Sequence, residues 1–256
     1  MTQDKLSRTP PPSVRRELRQ EAGFGCPVEG CGNPYLEYHH FDPPWNIEKH
    51  HDPSRMIALC ATHHAKADAW SVEQLRQMKS EAANSDVRGR FEWMREDVLG
   101  VVGSNYYYET PNMVVFRDQP LIWFERDAQR RLLLNLNMLS TSGRPRTSLV
   151  NNDWFLRGKP EDVDSPPNGS RLRVRYSNGD EVSVRFREWL TADALGAVHE
   201  TALVLGDELT FPLVTAEIGL VIGGTGISFG PKESKLGGFT ITGTVMSRCG
   251  AGLSFS

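Results

Sequence analysis

The sequence lacks several features that would fix its class at once. No apolar stretch is long: runs such as those at residues 101–102, 132–134 and 203–205 fall far short of the roughly 20 residues that cross a bilayer. The first residues hold no apolar core of the secretory kind, so a soluble, cytoplasmic protein with no membrane partner is expected. Four cysteines in 256 residues do not call for a disulfide framework. Charge of either sign is not in excess, with 29 Lys and Arg against 32 Asp and Glu and a formal net charge of -3. A nucleic acid would therefore have to be held by a local patch or a bound cation rather than by the protein's overall field. There is no glycine-rich loop ending in Lys-Ser or Lys-Thr, which argues against an NTPase or a nucleotide cofactor. His199 has no Ser or Asp at motif spacing, which argues against a hydrolase triad.

What is present is unevenly placed. Six of the seven histidines stand at positions 39, 40, 50, 51, 63 and 64, and three of the four cysteines, Cys26, Cys31 and Cys60, share that stretch. Outside an oxidising compartment, such crowding reads as metal binding. Tetrahedral zinc takes four thiolate or imidazole ligands, commonly as two close pairs. Cys26 and Cys31 make the first pair, with Pro27 and Gly30 suited to a tight knuckle. Cys60 and His63, three residues apart at a helix start, make the second and can face one side.

Hydrophobic periodicity gives an α+β chain in four parts. Residues 1–24 form an extended arm, closed by Pro10, Pro11 and Pro12, and then a short basic helix. Ser13 is its expected cap, Arg15, Arg16 and Arg19 form its solvated face, and Gly23 stops it. Residues 25–80 run knuckle, strand (YLEYHH), Pro-rich loop, strand (MIALC) and helix (CATHHAKADAW). A further helix is announced by the capping-box pair Ser71 and Gln74, with Val72, Leu75 and Met78 on one side. Residues 81–105 are expected as a connecting helix, because Phe91, Met94, Val98 and Val101 repeat at helical spacing. Residues 106–256 alternate with period two and form a larger β-rich domain with a hairpin at Asn178-Gly179-Asp180. The glycine-punctuated last forty residues suit either a sandwich edge or a short β-solenoid. Cys249 reads as a small buried residue.

The module at 25–80 resembles the HNH nuclease superfamily, in particular the subgroup whose ββα-metal core is pinned by a structural zinc. Tyr38-His39-His40 occupies the place where that family closes its first strand with a His, and Cys60, His63 and His64 open the helix as the family's ligands do. The motif HHFDPPW is similar to that of bacterial and phage HNH endonucleases. The resemblance implies hydrolysis of DNA phosphodiester bonds, with His40 as general base and His39 and His64 holding one catalytic cation, Mg²⁺ or Mn²⁺. Successive side chains on a strand alternate faces, so His39 and His40 can share a site only at a strand end; Phe41-Asp42-Pro43-Pro44 supplies that break. Arg55 stands where the family has its middle Asn, with His50, His51, Asp52 and Asn46 nearby in sequence. The competing reading is a catalytically inactive zinc module attached to a β-rich domain that binds a protein partner or a second copy.

Overall fold

A computed structural model describes residues 6–81 and 87–256. The start of the expected arm, residues 1–5, and the junction of two expected helices, residues 82–86, lie outside the described residues. The chain is mixed α+β, mostly β-rich with few helices, and divides into two compact units. The first comprises the residues up to Gly89 together with Asp162–Gly169; the second comprises Arg90–Glu161 with Ser170–Ser256. Among the described residues no helix is long and apolar enough to cross a membrane.

In the first unit, α1 (Pro12–Glu21) begins one residue before Ser13 and has no side-chain cap. Pro12 starts it instead, since proline's fixed φ suits the first helical turn and its missing N–H is not needed there. Its expected solvated face is only partly so. Arg19 is buried, with its guanidinium 2.9 Å from Asp162 Oδ1 and donating to Tyr38 Oη at 3.1 Å. The reason is a counter-charge 143 residues along the chain, which local spacing cannot reveal.

The strands β1 (Leu36–His40) and β2 (Met56–Cys60) pair antiparallel, with Leu36 opposite Cys60 and His40 opposite Met56. All of β2 is buried. It runs directly into α2 (Ala61–His64), a single turn shorter than expected, followed by a 3₁₀ turn at Ala67–Ala69. α3 (Val72–Ser80) carries the expected capping box: Ser71 and Gln74 each satisfy the other's backbone N–H. Leu75 is buried, with Val72 and Met78 packed beside it against Leu18, Leu36, Met56 and Leu59. This core also contains Cys26 and Cys60, so the metal-ligand types sit at its edge.

The second unit contains two sheets. One runs in the order Ala251–Phe255, Asn112–Phe116, Gln119–Arg126, Leu132–Asn137, Ser148–Val150 and Asp153–Phe155. The other runs Arg171–Arg175, Glu181–Trp189, Leu213–Ile222, Ile227–Phe229, Ser234–Leu236 and Phe239–Ile241. The hairpin expected at Asn178-Gly179-Asp180 joins the first two of these, with Gly179 at φ 86°. The sheets approach closely enough that a side chain at Gly100 would strike Met113 Sδ and come within 3.3 Å of Phe124. The two-sheet pairing, largely antiparallel, answers the choice left open by the sequence: the glycine-rich tail forms short strands added to the sheets, not the coils of a solenoid.

The connecting helix expected over 81–105 is not formed in its described part. Arg88–Arg90 and Val98–Val102 are strands. The helical spacing of Phe91, Val98 and Val101 coincides with a run, VLGVV, that is buried throughout and hydrogen-bonded in the sheet between Leu213–Ile222 and Asn105–Tyr108. A continuous apolar run suits a central strand as well as a helix, and the tertiary pairing decides. Cys249, read as buried, is exposed.

Candidate metal centre and histidine clusters

The knuckle at Cys26 is built by backbone geometry. Cys26 N–H donates to Asn33 O, Cys31 N–H donates to Val28 O, and Gly32 N–H donates back to Cys26 O. Gly30 and Gly32 take positive φ, and a Cβ on Gly25 would stand 2.8 Å from the Gly32 carbonyl oxygen. Only glycine at Gly25 lets the two limbs of this turn approach so closely.

Cys60 ends β2, and His63 lies on the α2 turn that follows. The four side chains Cys26, Cys31, Cys60 and His63 converge, with all ligand atoms within 4.8 Å of one another. Cys31 Sγ lies 3.8 Å from Cys60 Sγ, and His63 Nδ1 lies 3.3 Å from both Cys26 Sγ and Cys60 Sγ. Zinc bonds of about 2.3 Å to sulfur and about 2.0 Å to imidazole give tetrahedral edges near 3.8 Å and about 3.5 Å, so the group fits such an ion. Burial pushes the Cys26 thiol up to about 12, against the help of backbone N–H groups. Thiolates there need a cation beside them. This group could hold a metal such as zinc.

The remaining histidines divide between the two faces of β1. On the face shared with Glu37, His39 meets His64 of α2, their ring centroids 5.3 Å apart at 82°. His64 Nδ1 is 3.1 Å from Glu37 Oε2, and His39 Nε2 is 3.9 Å from the exposed Asp68 Oδ1. Burial and then the neighbouring His64 lower the pKa of His39, while Asp68 opposes them.

His40, on the other face, is not in this group. It is 4 % exposed and packs against Trp45, His50 and His51, with ring centroids 4.7, 5.1 and 5.8 Å away. Its Nε2 is buried with no hydrogen-bond partner, as is His51 Nδ1. Burial, then the charges of His50 and His51, take its pKa down to about 4, although a hydrogen bond to the His50 backbone works the other way. The ring is therefore neutral at physiological pH. The three residues His39, His40 and His64 are thus brought to the same strand end but not into one ring cluster.

The loop between the strands is stitched from within. His50 bridges it through Nε2 to the Pro43 carbonyl (3.1 Å) and Nδ1 to the Asp52 N–H (3.3 Å). Arg55 donates to the Asp42 carbonyl, two residues beyond His40, and makes a paired contact with Glu48 at 2.8 and 3.1 Å. Sequence reasoning did not name Glu37, although its two-residue offset from His39 places both on one face. His199, set aside for want of a Ser or Asp at motif spacing, is buried with Nε2 3.2 Å from Glu217 in the second unit. That pair involves residues 18 apart, with no motif to mark it. In comparisons with known proteins, no family model, no curated protein and no solved structure matches this chain.

Proposed function

We propose that the first unit is a ββα-metal nuclease of the HNH type that hydrolyses DNA, with zinc held by Cys26, Cys31, Cys60 and His63 as its structural support. The observation that carries this reading is the end of β1. His40 Nε2 is buried and has no hydrogen-bond partner, while its neighbour His39 shares the opposite face with His64 on the turn of α2. A divalent cation, Mg²⁺ or Mn²⁺, at His39 and His64 would neutralise the scissile phosphate and ease departure of the 3′ oxygen. His40 Nε2 takes a proton from the attacking water as that oxygen bonds to phosphorus. The bond to the 3′ oxygen breaks, and a 5′-phosphate remains. Arg55 and His50 hold the loop that frames His40, in the place where the family uses its Asn. The β-rich unit selects the substrate or a partner.

The test is nicking of supercoiled plasmid by the purified full chain with Mg²⁺ or Mn²⁺. His40→Ala is expected to lower the rate by about 10²–10⁴-fold, the usual contribution of a general base, with zinc content unchanged. Full activity in this variant would remove His40 from the chemistry. The deep burial of His40 favours a second reading, in which the module retains zinc as a scaffold for β-rich interactions. Zinc-loaded protein that cleaves neither DNA nor RNA with any divalent cation supports that reading.

A further inference from the structure

We infer that the second unit binds a small organic anion, an apolar body carrying one carboxylate or similar group, in a cleft between its two sheets. The site lies wholly within that unit and does not depend on the nuclease reading. The cleft holds about 440 Å³, inside the range of roughly 300–1,000 Å³ usual for small-molecule sites. Both sheets line it. Val98 and Tyr107 come from the strands Val98–Val102 and Asn105–Tyr108, and Phe124, Arg126 and Leu132 come from Gln119–Arg126 and Leu132–Asn137. Arg126 and Leu132 stand directly opposite each other in their antiparallel pair, so their side chains leave the same face of the sheet.

Two polar groups give the cleft its chemistry. Tyr107 is 1 % exposed, and its hydroxyl is buried with no hydrogen-bond partner. A buried hydroxyl left in that state is destabilising, so its retention on a cleft wall points to an acceptor that arrives from outside. Burial also holds the Tyr107 pKa above the ordinary tyrosine range, which keeps the hydroxyl a donor at neutral pH. Arg126 is exposed and supplies the charge. Its Nη1 donates to the carbonyls of Glu96 (2.9 Å) and Arg130 (2.6 Å), which fix the guanidinium in place. Among the described residues no carboxylate pairs with it, and its Nε and Nη2 donate to no protein group. That edge of a guanidinium meets a carboxylate with two parallel hydrogen bonds. The acidic side chain of the lining, Glu109, is already held by Arg248 at 3.0 Å, so Arg126 is left for a ligand. Val98, Phe124 and Leu132 receive the apolar body.

The experiment titrates the full chain with 1-anilinonaphthalene-8-sulfonate, an aromatic body with one anionic group, followed by its fluorescence and by displacement with 4-phenylbutyrate. Wild-type protein is expected to show one saturable site from which 4-phenylbutyrate displaces the dye. Arg126→Gln, a change at an exposed position, is expected to weaken binding at least tenfold. Leu132→Trp, which fills the cleft, is expected to abolish it. Tyr107→Phe is expected to weaken binding several-fold while leaving the urea midpoint unchanged or raised, because no hydrogen bond within the protein is lost. A lowered midpoint in Tyr107→Phe would show a structural role for the hydroxyl and remove it from the site. No saturable binding by the wild type would overturn the inference. Equal affinity in wild type, Arg126→Gln and Leu132→Trp would also overturn it, placing the dye on exposed apolar side chains such as Leu190 and Val204.

Discussion

Removing zinc should unfasten the first unit and leave the second untouched. The four ligands come from two places, the knuckle at Cys26 and Cys31 and the strand end at Cys60 and His63, and they meet at the edge of a core that includes β2. A structural zinc site of this type binds with an apparent free energy of about 10–16 kcal/mol near neutral pH. Divided evenly over four ligands, one ligand accounts for about 3–4 kcal/mol, which is about 10²–10³-fold in affinity. Cys60→Ala should therefore lose zinc to a competing chelator at a concentration about 10²–10³-fold lower than the wild type does. The assay is chelator competition followed by amide hydrogen exchange read by mass spectrometry. Peptides covering Met56–Cys60 should exchange faster once the metal is stripped, because the site no longer ties the strand end to the knuckle. Peptides covering Glu181–Trp189, at the middle of a sheet in the second unit, should not change. Purified protein without zinc, or unchanged exchange in Met56–Cys60 after chelation, would refute the reasoning.

In the second unit, Asp180 is fully buried beside Arg146 Nε at 2.7 Å and accepts from Ser140, Asn178 and the Gly223 N–H. Asp180→Asn leaves the Arg146 charge without its partner and should destabilise the unit by about 3–5 kcal/mol in urea denaturation. Burial alone would raise the Asp180 pKa, but its hydrogen bonds outweigh that and lower it. Its contribution is therefore present above the unfolded carboxyl value of about 3.9 and lost as pH falls through the lower folded value, and the variant should lack that acid-side slope. Arg55→Ala should slow plasmid nicking by about 10²-fold with zinc content unchanged, since a displacement of about 1 Å at a reacting group has that effect. An unchanged rate would show that His50 alone holds the loop around His40.

The first unit was readable in sequence where its order is local. The knuckle, the strand MIALC and the Ser71 to Gln74 capping box each depend on residues within a few positions, and each forms as expected. The alternation of side chains on β1 was equally readable, and it separates His40 from His39 once the strand runs regularly to its last residue. The packing of His40 under Trp45, His50 and His51 was not, because it depends on the path of a fifteen-residue loop set by Arg55 and His50. The strand at Val98–Val102 was hidden for another reason. Its apolar residues satisfy helical and extended patterns alike, and its partners Leu213–Ile222 lie more than a hundred residues away. The same distance in sequence concealed Asp162 as the counter-charge of Arg19.

That last pairing has a consequence for biosynthesis. Residues as far as α3 supply all four side chains of the candidate metal group, so a metal could be captured early in translation, yet Asp162–Gly169 belongs to the same unit. Until those residues leave the ribosome, Arg19 has no carboxylate to receive it and α1 lacks its inward anchor. At elongation rates of roughly 5–20 residues per second, the interval amounts to several seconds. A nascent chain could thus hold a metal well before its first unit is complete, and the anchoring of α1 through Arg19 would come only after much of the second unit has been synthesised.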